Sequence, residues 1–198
     1  MKRDFSPQEW EAASLLARAL GGVDQLVFPE NPIKILIIKQ RSGNIGEKVG
    51  YVSSEDSTDG EERYNIYAYG IDRYLEAIIK RSQKVVVMFD DQGRMVELED
   101  LPLLTLKVLV IGTAAHEVRH RLQGYRRIRM FGPADADNET LSPRTRAHIG
   151  LRKRFPASEQ RDPAREFDAK VIELLAEEIC YEEGDLKENM ANLLLNKD

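Results

Sequence analysis

Only one cysteine, Cys180, occurs in 198 residues, which excludes an intramolecular disulfide framework and any zinc finger built on cysteines. Long apolar runs are missing too. The stretch richest in apolar residues, Leu101 to Val118, is interrupted by Lys107, His116 and Glu117, so it does not read as a membrane span. The start, Met1-Lys2-Arg3-Asp4, leads into polar residues and Trp10 without the apolar segment of a secretory signal. No internal repeat or low-complexity tract is visible. These absences point to a cytoplasmic protein with no membrane partner. What the chain does have is 42% apolar and 32% charged residues, the balance of a folded domain with a sizeable core.

Charge is unevenly placed. The net value is −5, but residues 119–154 hold ten bases (Arg119, Arg121, Arg126, Arg127, Arg129, Arg144, Arg146, Arg152, Lys153 and Arg154) against three acids, or +7. The remainder holds 19 bases against 31 acids, or −12. Such asymmetry suggests an anionic partner for the middle of the chain. A solvated basic stretch offsetting an acidic body explains it equally well.

Local signals predict alternating elements. Ser6, Pro7 and Glu9 form a capping box with proline at the first helical position. Trp10, Ala13, Leu16, Ala17 and Leu20 follow at helical spacing, and Gly21-Gly22 reads as the stop. Short β-branched or tyrosine-rich runs predict strands at Ile33–Ile38, Val49–Ser53 and Tyr64–Tyr69. A helix is expected over Asp72–Ser82, and strands at Val85–Phe89 and Met95–Leu98. Leu104, Val108, Ile111, Ala115, Val118 and Leu122 step by three or four and describe one helical stripe. That predicts a helix from about Pro102 to Gln123 with Gly124 as its stop. Asp162-Pro163 opens a helix with Phe167, Val171, Leu174, Leu175 and Ile179 on its core face, and Leu186–Leu195 closes the chain as another.

The chemistry concentrates in His116-Glu117-Val118-Arg119-His120 on the expected central helix. Residues four apart lie one turn apart on the same face, so both imidazoles can reach one ion. Neutral imidazole is a good zinc ligand, and two of them plus a carboxylate leave a fourth position open. Glu117 is rotated by about one hundred degrees from His116, where it can accept a proton from a water that the ion polarises. The third ligand is open between Glu166, in the first turns of a later helix, and His148, in the basic loop. Asp168 is a candidate acceptor for a histidine N–H, and Tyr125 and His148 are candidate donors to a developing oxyanion. Arg126, Arg127, Arg129, Arg144, Arg146, Arg152, Lys153 and Arg154 are candidates for anion contacts, including nucleic-acid phosphates.

The H-E-x-x-H of His116–His120, followed by Glu166-Phe167-Asp168-Ala169, resembles the zincin metallopeptidases of the gluzincin kind. It is most similar to ImmA/IrrE-type domains, whose pattern is H-E-x-x-H and then E-x-x-A on a later helix. The resemblance implies an α+β zincin-like fold, a small mixed or mostly antiparallel sheet packed on the active-site helix, and C-terminal helices. It also implies one Zn2+ per chain held by His116, His120 and Glu166, with Glu117 as catalytic base in peptide-bond hydrolysis of a protein substrate. Two positions depart from that pattern. Arg119 stands before the second histidine, where a small residue is usual, and Lys170 stands four residues past Glu166, where many gluzincins have an acid.

The expected organisation is one domain over 1–198. It comprises an N-terminal helix and sheet (1–100), an active-site helix (101–124), a basic loop region (125–161) and C-terminal helices (162–198). The rival from another class is a non-catalytic regulator of the same fold that binds nucleic acid or a partner through residues 119–154. A metal-dependent hydrolase of a non-peptide bond needs the same ligands.

Overall fold

The computed structural model describes residues 6–38, 52–56, 62–82, 87–89, 95–97, 105–125, 128–132, 134–135, 138–142, 144–146, 149, 163–182 and 187–195. Its elements are α1 (Pro7–Val27), β1 (Lys34–Ile38), β2 (Val52–Asp56), β3 (Glu62–Tyr67), α2 (Ile71–Ser82), β4 (Val87–Phe89), β5 (Met95–Glu97), α3 (Leu106–Tyr125), α4 (Pro163–Glu182) and α5 (Lys187–Leu195). The class is α+β. Among the described residues, no helix is long and apolar enough to cross a membrane.

The capping box forms as its residues dictate. The Ser6 hydroxyl accepts from Glu9 N–H at 3.1 Å, and Glu9 Oε2 accepts from Ser6 N–H at 2.9 Å. Glu9 also reaches across the fold, where its Oε1 accepts from Gly70 N–H at 2.8 Å. Gly70 lies in the left-handed region (φ 79°), which a side chain would strain. One carboxylate thus ties the start of α1 to the turn that launches α2.

Gly21-Gly22 does not stop α1. The helix runs on to Val27, because Val23 and Val27 continue the buried face set by Ala13, Leu16 and Leu20. Tertiary burial outweighs the roughly 1 kcal/mol helical penalty of each glycine. Gly124 likewise sits inside α3, which ends at Tyr125.

The first sheet is mixed and three-stranded, in the order β1-β3-β2. β1 runs parallel to β3 with Lys34 opposite Arg63 and Ile38 opposite Tyr67. β2 runs antiparallel with Val52 opposite Ile66 and Asp56 opposite Glu62. The second strand overlaps the expected Val49–Ser53 at Val52 and Ser53 and continues to Asp56, paired throughout with β3, while residues 49–51 lie outside the described residues. β4 and β5 form a separate antiparallel pair.

α3 is the central element. It lies along α4 in the most extensive contact among the described elements, meets α1 on another side, and touches β2. The predicted stripe holds where it is described: Val108, Ala115, Val118 and Leu122 are buried and Ile111 is partly so. The burial is wider than a stripe, since Leu109, Val110 and Ala114 are covered as well. Phe167 and Val171 of α4 pack with Leu141 and Ile149 in a small second core. Ser142 starts a helical turn there, its hydroxyl accepting from Thr145 N–H at 3.1 Å. Leu104, Pro143, Asp162 and Gly184 lie outside the described residues.

Candidate metal centre

Helical spacing on α3 and the docking of α4 bring three side chains together. His116 and His120 sit one turn apart with their rings 4.8 Å between centroids and nearly perpendicular. Their Nε2 atoms face each other at 3.1 Å. Glu166, in the first turn of α4, completes the group, with Oε2 at 3.5 Å from His116 Nε2 and Oε1 at 3.3 Å from His120 Nε2. These three are the group of His, Cys, Asp and Glu residues whose ligand atoms converge among the described residues.

The far nitrogen of each ring fixes its tautomer. His116 Nδ1 lies 3.1 Å from Glu173 Oε2, and a carboxylate facing a ring nitrogen requires the proton there. His120 Nδ1 lies 3.0 Å from Gln123 Oε1. That amide is oriented without ambiguity. Its nitrogen donates to Arg165 O at 3.1 Å and to Asp168 Oδ2 at 2.6 Å, while its oxygen accepts from Arg165 Nε at 3.1 Å. With both protons on Nδ1, both Nε2 lone pairs point into the space shared with Glu166. Two lone pairs and a carboxylate at these separations repel one another unless a positive charge lies among them.

The electrostatics agree. Burial works against a charge on His116, yet Glu166 and Glu173 outweigh it and raise the ring to about 10. His116 and His120 hold the Glu166 carboxyl well below the usual range. Burial raises the Glu117 carboxyl, an effect that the two histidines oppose and Glu166 and Glu173 reinforce. The cluster draws in a cation, whether a proton or a metal.

A tetrahedral zinc with bonds of about 2.0–2.1 Å has its ligand atoms about 3.3–3.4 Å apart. The three observed separations, 3.1, 3.3 and 3.5 Å, bracket that value. The donor set of two imidazoles and one carboxylate suits zinc as well.

Other expected site residues fall elsewhere. Asp168 contacts neither histidine. It is fully buried and accepts from Arg119 Nε at 2.6 Å, Arg119 Nη2 at 3.0 Å, Phe131 N–H at 2.8 Å and Gln123 Nε2. Its link to His120 runs through Gln123. Arg119, the first departure from the family pattern, uses the rest of its fork on the carbonyls of Leu194 and Arg129. His148, Arg126, Arg127, Arg152, Lys153, Arg154 and the Tyr125 side chain lie outside the described residues.

Within the described part of the basic segment, four of the five arginines are paired with acids of the same chain. Arg119 pairs with Asp168, Arg121 with Asp24 and Glu62, Arg129 with Asp135, and Arg144 with Glu177. Arg146 is half-buried.

Gln123, Arg165 and Glu173 escaped the sequence reading. The available signal was spacing: Gln123 lies three residues past His120, and Glu173 lies two turns past Glu166 on the same face. Comparison with protein-family models, curated proteins and solved structures finds no match.

Proposed function

We propose that this chain is a cytosolic zinc-dependent metallopeptidase of the zincin type that hydrolyses peptide bonds in a protein substrate. His116, His120 and Glu166 hold one zinc, and Glu117 is the general base. The observation that carries this reading is the set of Nε2–Nε2 and Nε2–carboxylate separations, 3.1 to 3.5 Å, on rings whose opposite nitrogens are already engaged.

Bound zinc would act as a Lewis acid toward the scissile carbonyl and make a water acidic enough to attack at neutral pH. The chain's own groups do the remaining work. Glu117 lies between the two ligand histidines in sequence, rotated off their face, and burial raises its proton affinity. A carboxylate with raised affinity takes a proton more readily and can return it to the leaving amine. Glu173 and Gln123 keep the ring protons away from the reacting side. The H-E-x-x-H and later glutamate are what the family resemblance requires, and the α+β class is compatible with it.

The test is zinc content followed by Glu117→Gln. The reading predicts one zinc per chain in wild type and variant alike. It also predicts a loss of peptide hydrolysis of about 10²–10⁴-fold in the variant. A variant that remains fully active overturns the base assignment. A zinc-loaded wild type that cleaves no protein, yet binds nucleic acid with strong salt dependence, overturns the peptidase in favour of a regulator.

A further inference from the structure

Glu173 is an expensive residue to bury in a helix–helix contact. It is 6% exposed, and a leucine or methionine of similar volume fills such a position without the cost of desolvating a carboxylate. Both of its oxygens are engaged. Oε1 accepts from the Lys170 ammonium one turn earlier, and Oε2 lies 3.1 Å from His116 Nδ1.

Gly112 explains how Glu173 gets there. A Cβ on Gly112 would lie 2.6 Å from Glu177 Cγ and 3.2 Å from the Glu173 backbone carbonyl. The bare glycine, one turn before His116, lets α4 approach α3 closely enough for the carboxylate to meet the ring. Glu177, the next acid along α4, is equally buried but accepts from Arg144 at 2.8 Å. Each of the two buried acids meets one cation, Lys170 or Arg144, but Glu173 also meets an imidazole.

We infer that Glu173 is a positioning residue for metal binding: it locks His116 in the Nδ1–H tautomer, aims Nε2 at the ion, and makes His116 the stronger donor of the two histidines. The contrast with His120 supports the last clause, because the partner there is the neutral amide of Gln123. An anionic acceptor raises ligand basicity more than a neutral one. Lys170, the second departure from the family pattern, holds the other oxygen and leaves Oε2 for the ring. This inference rests on the metal-centre reading.

The experiment measures zinc affinity by competition with a chromophoric chelator in wild type, Glu173→Met, Glu173→Gln and Glu177→Gln. Glu173→Met should weaken zinc binding by about 10–100-fold, the usual size of such an effect. Glu173→Gln should recover part of the loss, because its amide oxygen still accepts from Nδ1–H. Glu177→Gln, which replaces the other buried acid of α4 without touching a ring, should bind as wild type does. Histidine 15N NMR on zinc-loaded protein should show His116 bound through Nε2 with a slowly exchanging Nδ1 proton in wild type, and a faster-exchanging Nδ1 proton in Glu173→Met and, to a lesser degree, in Glu173→Gln. Should the methionine variant fold poorly, the glutamine variant and the NMR signature decide the matter alone. Wild-type affinity in Glu173→Met, or an equal loss in Glu177→Gln, overturns the inference while leaving the metal centre intact. A wild type that binds no zinc overturns the metal centre itself and this inference with it.

Discussion

Two sides of α3 bury polar groups, and they do so on opposite terms. Toward α1 and the sheet, Arg121 is enclosed by groups that complete it. Nη1 donates to both oxygens of Asp24 at 2.7 and 2.8 Å, Nε to Glu62 at 3.1 Å and Nη2 to Asn31 O at 3.0 Å, while Phe28 lies 4.0 Å beneath the guanidinium. Tyr64 adds its hydroxyl to Asp24 at 3.3 Å. Arg119 and Asp168 are matched just as fully toward α4 and α5. The imidazole pair is the reverse case. Its outer nitrogens are satisfied, and its inner lone pairs converge with a carboxylate. Complete polar burial suits a structural latch, whereas acceptors that converge on one another suit the metal site proposed above.

The largest effect should come from breaking a latch. Asp168→Ala leaves the Arg119 guanidinium buried without its counter-charge, and one-sided removal of such a pair costs about 3–5 kcal/mol. Urea denaturation of the metal-free protein should show that loss. A change below about 1 kcal/mol, the scale of an exposed ion pair, would erase the distinction between the two sides.

Next in size is the response to zinc. At free zinc a hundredfold above the dissociation constant, wild type should gain about 2.7 kcal/mol of stability. His120→Ala should abolish that gain and cost the metal-free protein less than Asp168→Ala does, since Gln123 Oε1 keeps Arg165 Nε as its donor. Thermal melts with and without zinc report both quantities. A variant that is strongly destabilised when metal-free would place the histidines among the latches.

Gly112→Ala should be smaller, about 1–3 kcal/mol, as expected for overpacking a close contact. The added methyl drives against Glu177 and the α4 backbone, so zinc affinity should fall with stability. A variant as stable as wild type in urea would mean that α4 yields easily there. Ser6→Ala is the smallest, at about 1 kcal/mol for a lost N-cap. The cap is remote from the metal side, so the zinc-induced shift should be unchanged. If that shift shrinks, the two regions are coupled in a way that the contacts do not explain.

How much was legible in the sequence follows the range of the interaction. The capping box, the α3 stripe and the histidine pair are set by spacings of three and four residues, and spacing is what a sequence displays. Glu166 was nominated by its place at a helix start, and α4 brings it to both rings. The continuation of α1 through Gly21-Gly22 was hidden, because its cause is burial of Val23 and Val27 against distant elements. The pairing of Arg119 and Arg121 was hidden for the same reason: they find their acids 49 residues ahead and 97 residues behind. Glu173 and Gln123 carried a local signal, but their meaning depends on the tautomer each imposes, which only the assembled site reveals.

Zinc K-edge absorption on the loaded wild-type protein reads the proposed ligands directly. Two imidazole nitrogens and light oxygen donors should appear at about 2.0–2.2 Å, with one zinc per chain. A protein that takes up no zinc, or whose zinc lacks histidine scattering, would contradict the account.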